Sequence, residues 1–277
     1  MLRNVQDLEE YAIGATDGAI GHVKDFYFDD KTWVIRYLVV ETGSWLSSRK
    51  VLISPVAISH PDWTARMLPV LITREQVKNS PDIDTDKPVS RQNEVDYLGY
   101  YGYPYYWGGA GLWGEEAYPG LMIAGYGGLN PVSDARQREG QKMAARAAGA
   151  RHANDDTHLR SCDAVTGYHI QATDGEIGHV QGLLVDEETW AVRYLIVDTS
   201  NWWLGHTVLV APQWIQQVSW ADSKVTVGLS RQAVRDAPPY DPLAELSREL
   251  ETGIYKHYGR PAYWADETKR DGATARR

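Results

Sequence analysis

The sequence predicts an all-β chain with short helices, arranged as two small six-stranded barrels in tandem. Three observations carry that expectation. A long segment repeats within the chain, each copy is written as short strand patterns broken by frequent turns, and each set of strands is followed by a brief helical signal.

The repeat organises everything else. Ala15-Thr16-Asp17-Gly18 returns as Ala172-Thr173-Asp174-Gly175, a separation of 157 residues between Asp17 and Asp174. The same separation, without a gap, relates Ile20-Gly21-His22-Val23 to Ile177-Gly178-His179-Val180 and Arg36-Tyr37-Leu38 to Arg193-Tyr194-Leu195. It persists to Tyr106-Trp107 and Tyr263-Trp264. About 37 of roughly 97 aligned pairs are identical, which marks a duplication. Residues 1–107 are therefore read as one repeat with a helix and an aromatic tail, and 161–264 as the second. Residues 108–160 are Gly- and Tyr-rich, then polar, and read as a flexible linker with a marginal helix at 135–148. The charged tail 265–277 reads as disordered.

Inside the second copy, Thr173-Asp174-Gly175-Glu176 is a tight turn and Ile177–Asp186 a strand. After an acidic turn at Glu187-Glu188, residues 190–197 alternate Trp190, Val192, Tyr194, Ile196 against Ala191, Arg193, Leu195, Val197. Both faces carry apolar groups, so both are expected to be covered. Val208–Val210 precedes Pro212, and Trp214–Val218 pairs with Lys224–Val227 across Ala221-Asp222-Ser223. Ser230 caps a short helix, as Thr73 does before Arg74. A second helix is expected at Pro242–Lys256, matched by Pro88–Tyr97.

These motifs resemble the PRC-barrel family. The residues that carry the likeness are Asp17-Gly18-Ala19-Ile20-Gly21-His22-Val23 with Val39-Val40-Glu41-Thr42, their counterparts Asp174–Val180 and Ile196–Thr199, and Leu52-Ile53-Ser54-Pro55. The resemblance implies small SH3-like barrels of the PRC type. It is similar to the cytoplasmic domain of the photosynthetic reaction-centre H subunit and to one domain of RimM-type ribosome maturation factors, both of which dock on other proteins through such a barrel. The chain lacks the membrane helix of the first and the extra N-terminal domain of the second.

Composition narrows the function. The net charge of −9 argues against a general nucleic-acid binder, which needs a surplus of Lys and Arg. The single cysteine, Cys162, excludes an intrachain disulfide and fits a reducing, cytoplasmic setting. No apolar run approaches the roughly 20 residues of a membrane span, and no signal peptide opens the chain. With 11 Trp and 17 Tyr against two Phe, the aromatic usage favours amphipathic rings that suit interfaces.

His22 and His179 recur but have no Cys or His at ligand spacing, and His206 is unmatched, Arg49 standing at its position in the first copy, so no metal is expected. Asp17 and Asp174 precede Gly and read as turn formers, and Asp29-Asp30 and Asp186-Glu187-Glu188 as solvated turns. Arg36 and Arg193 lie mid-strand and need partners, for which Asp29, Asp186, Glu41 and Asp198 are the candidates. No nucleophile, P-loop or dinucleotide fingerprint appears, so neither catalysis nor a cofactor is expected. The interface candidates are aromatic: Trp45 and Leu46, with Trp202, Trp203 and Leu204 opposite them, and the tails at Tyr106, Trp107, Tyr263 and Trp264. The expected function is a non-catalytic protein–protein assembly or adaptor module, its two barrels closing as an intramolecular pseudo-dimer or its chains pairing as a homodimer. A peripheral subunit of a membrane photosynthetic or electron-transfer complex, and a ribosome- or RNA-associated maturation factor, stand as alternatives.

Overall fold

A computed structural model describes residues 1–81, 89–107, 109–124, 158–199 and 206–265. Strand β1 (Leu2–Asn4) leads into a 3-10 turn at Val5–Leu8 and then β2 (Ala12–Ala15). The Asp-Gly turn delivers the chain into β3 (Gly18–Asp29), with Gly18 at a φ of 142° that side chains rarely adopt. Asp29 Oδ1 then accepts the N–H groups of Lys31 and Thr32 at 3.0 Å, closing the turn into β4 (Val34–Thr42). β5 (Lys50–Ile53), a 3-10 turn at Pro55–Ala57 and β6 (Met67–Pro69) follow. The helices are α1 (Arg74–Lys78), α2 (Arg91–Tyr101) and α3 (Pro119–Ala124).

The second half runs β7 (Leu159–Ser161), α4 (Cys162–Val165), β8 (His169–Ala172), β9 (Gly175–Asp186), β10 (Val192–Asp198) and β11 (Thr207–Val210). It continues through β12 (Ile215–Ser219), β13 (Lys224–Val227), α5 (Arg231–Arg235) and α6 (Arg248–His257). The long helices start later than the sequence suggested, because Ser90 and Ser247 supply the caps.

The fold is mostly β, in two sheets with short helices. One sheet has the order β5-β4-β3-β2-β6 with β7 added on β3; the other has β11-β10-β9-β8-β13-β12 with β1 added on β9. Within each, one pairing is parallel (β2 with β6, β8 with β13). Among the described residues neither sheet closes on itself, which corrects the expectation of closed six-stranded barrels. In both units a 3-10 turn opened by proline, Pro55–Ala57 and Pro212–Trp214, follows the strand at one edge of the sheet.

Two compact units divide the chain. The first comprises Met1–Val165 with Leu183–Arg193, the second Thr166–Gly182 with Tyr194–Arg277. The first unit thus takes in segments that the sequence reading placed in the linker. Trp113 is 1% exposed there, α3 packs on the Pro55–Ala57 turn, and β7 pairs with β3. The expected helix at 135–148 lies outside the described residues. In the first unit every residue of β4 except Glu41 is buried, so both faces are covered as the alternation suggested. The core of the second is formed by Ile170, Ile177, Val180, Leu195, Val208 and Val225.

Candidate aromatic docking site and its buried carboxylate clasp

The aromatic tail of the first unit is tied down by one carboxylate. Ser90 caps α2, which places Glu94 in the first turn, where a negative charge also suits the helix dipole. The Glu94 side chain is fully buried. Its Oε1 accepts the hydroxyls of Tyr37 (β4), at 3.2 Å, and Tyr106 (the tail). Its Oε2 accepts Arg91 Nη1 at 2.9 Å and lies 2.6 Å from His158 Nε2. Each oxygen thus has two partners, as a buried carboxylate requires. Arg91 also donates to Tyr106 Oη at 2.9 Å, and its guanidinium lies over the Trp107 ring at 4.2 Å. Burial pushes the Tyr37 and Tyr106 hydroxyls well above the usual phenol range, and the Glu94 charge adds to it, so both remain donors.

The second unit repeats this arrangement. Glu251, 3% exposed, accepts Tyr194 Oη at 2.9 Å and Tyr263 Oη at 3.0 Å on Oε1, and pairs with Arg248 at 3.0 Å through Oε2. Arg248 donates to Tyr263 Oη at 2.9 Å and lies over Trp264 at 4.2 Å. The position 157 residues before His158 is Met1, so the imidazole belongs to the first cluster alone. Arg91, Glu94, Arg248 and Glu251 were not singled out from the sequence. The signal was available: Arg-x-x-Glu stands at the same place in both copies. His158 carried none, since it sits in the stretch read as linker.

The aromatic interface candidates fall into distinct settings. Tyr106 is buried, while Trp107, Tyr263 and Trp264 are half-buried. Trp45 and Leu46 are half-buried too, with Trp45 Nε1 donating to Ile20 O at 2.7 Å and Arg74 over its ring at 4.3 Å. Trp202, Trp203 and Leu204 lie outside the described residues.

Most of the polar groups that recur between the copies have structural partners. Asp17 and Asp174 each accept a helix-start N–H, from Arg74 and Arg231, at 2.7 Å. Among the described residues Arg36 makes no ion pair within 4.0 Å with the carboxylates expected of it, although the charge of Asp29 does act on it. It is 2% exposed, donates to Leu112 O at 2.8 Å and Thr32 Oγ1 at 3.2 Å, and lies 3.9 Å from the Tyr106 ring and 4.7 Å from that of Trp113. The two ring faces supplement the nearby charges of Asp29 and Glu94. Arg193 does find Asp186, at 3.7 Å. His22 is exposed, and His179 lies 3.8 Å from Asp198. Among the described residues no group of three or more His, Cys, Asp or Glu is placed to hold a metal ion.

Residues 5–70 match the PRC-barrel domain family, so the chain carries a PRC-barrel domain there. The chain is also similar to an uncharacterized protein of Deinococcus radiodurans, at 33% identity over 94 residues, which is 30% of this chain and 34% of that protein. The similarity therefore spans about a third of that relative. Among the described residues no helix is long and apolar enough to cross a membrane.

Proposed function

We propose that this chain is a non-catalytic protein–protein assembly module built from two PRC-barrel repeats, which presents pre-set aromatic anchors to a partner. One observation carries the reading. In each unit a half-buried indole, Trp107 or Trp264, rests 4.2 Å from a guanidinium that a buried carboxylate holds in place. Trp and Arg are the residue types most often found at the energetic centres of interfaces. Anchors already fixed in position lose little conformational freedom on binding, which favours affinity. The carboxylates that do the fixing are taken up by it: Glu94 has four polar partners and Glu251 three.

The test is affinity capture from the native host with the full chain, comparing wild type with Trp107→Ala and Trp264→Ala at matched folding. The reading requires a defined protein partner retained by wild type and reduced at least about tenfold by one of the substitutions. Retention of every partner by both variants would count against it. Membrane and ribosomal fractions assayed alongside separate it from the photosynthetic-complex and ribosome-factor alternatives.

A further inference from the structure

Within the first unit, contacts occur in reciprocal pairs separated by the repeat spacing of 157 residues. Strand β1 pairs with β9 (Leu2 with Asp186, Asn4 with Leu184), and β7 pairs with β3 (Leu159 with Asp29, Ser161 with Tyr27). Arg3 Nε meets Glu187 at 2.7 Å, and Arg160 Nε meets Asp30 at 3.2 Å. Ile35 N–H donates to Trp190 O at 2.8 Å, and Val192 N–H to Trp33 O at 2.7 Å. At the centre, Val34 forms an isolated antiparallel bridge with Ala191, its own equivalent in the other copy. Val34 is fully buried and Ala191 3% exposed.

A contact set in which residue i meets j while the equivalent of i meets the equivalent of j is what a two-fold symmetric, self-complementary interface produces. Nothing in ordinary loop packing imposes such reciprocity. We infer that the hairpin face centred on Val34 and Ala191 is a self-complementary docking surface whose fitting partner is another hairpin of the same repeat type, and that this chain satisfies it internally. The surface is distinct from the Trp107 and Trp264 anchors, and its test needs no outside partner, so either reading can fail without the other.

Two measurements on the full chain decide it. Val34→Cys with Ala191→Cys is expected to form a disulfide within one chain, seen as a monomer of altered mobility without reductant. No cross-link, or cross-links only between chains, would overturn internal closure. Second, a specific protease site placed within 125–157 and then cut is expected to leave the two halves co-eluting at low micromolar concentration. Val192→Pro, which removes one of the two central N–H donors, is expected to weaken that association by on the order of tenfold. Halves that separate once cut, or an association that Val192→Pro leaves unchanged, would overturn the docking surface.

Discussion

His158 Nε2 lies 2.6 Å from Glu94 Oε2, with the two side chains 1% and 0% exposed. Burial by itself works against the imidazolium and is the largest single influence. The hydrogen bond and the charge of Glu94 together outweigh it, so the His158 pKa rises above 6.5. Arg91 and Asp29 also face the ring, with opposing effects.

A raised histidine pKa has a definite consequence for stability. The contribution is fully present below the ordinary histidine value and is lost as pH rises through the elevated, folded-state value. Urea unfolding midpoints of the full chain are therefore expected to fall as pH rises above the ordinary histidine value of 6.5. His158→Gln should flatten part of that slope, and a slope identical to wild type would show that the pair contributes nothing.

The two carboxylate clasps should respond unequally to the same substitution. Glu94→Ala takes the close carboxylate from Arg91, 12% exposed, and His158, leaving Arg91 only Asp29 at 4.0 Å. Breaking a buried pair in this way costs about 3–5 kcal/mol. Arg248 is 57% exposed, so water replaces much of what Glu251 supplies, and no imidazole is stranded. Glu251→Ala should therefore cost visibly less, measured as a smaller fall in urea midpoint. Equal losses would mean that solvent access at Arg248 is not what separates the two sites.

A carboxyl cluster gives a second pH signal in the same direction. Burial pushes Asp25 up to about 6, with the charge of Asp163 adding to it, while hydrogen bonds from Ser161, Phe26 and Asp163 pull the other way. Burial and then Asp163 push Glu9 up to about 7. A carboxyl whose folded pKa is raised supports folding at low pH and loses that support as pH rises through the raised value. For Asp25 the shift of about two units corresponds to roughly 3 kcal/mol at pH 8. Asp25→Asn keeps an oxygen for the Phe26 and Asp163 N–H groups at 2.7 and 3.2 Å. It should raise the melting temperature at pH 8 and change it little at pH 4. A lower melting temperature at pH 8 would contradict the assignment.

What the sequence disclosed follows from what is local. The Asp-Gly turns, most of the strand expected over 190–197 and the Ser230 and Thr73 caps could be read because turn chemistry, alternation and capping act over a few residues; Trp190, counted in that strand, instead lies before it at a φ of 58°. The order of strands across each sheet could not, since it is set by pairings between distant segments such as β2 with β6 and β8 with β13. Arg36 was assigned a carboxylate partner because charge is visible in a sequence, whereas the Tyr106 and Trp113 faces that receive it come from 70 and more residues away. The burial of Trp113 has the same origin: its Nε1 donates to Thr189 O at 2.8 Å, and nothing near Trp113 in the chain announces that acceptor.

The Gly-His-Val motif owes its glycine to backbone proximity, which gives a prediction with an internal control. A Cβ on Gly21 would sit 1.9 Å from Glu41 O, and one on Gly178 would sit 1.9 Å from Asp198 O. Both are backbone atoms, so no side chain can swing aside, and the β3–β4 pairing or the Asp198 segment would have to move. Gly178 also has a φ of +143°, a conformation costly for alanine, which Gly21 does not share. Gly21→Ala therefore carries the steric term alone, and Gly178→Ala carries it with about 1–3 kcal/mol of backbone strain. Both variants should lose stability in thermal melts, with Gly178→Ala the worse by several degrees. Equal melting temperatures would show that the close approach, and not the dihedral, sets the requirement for glycine at both positions.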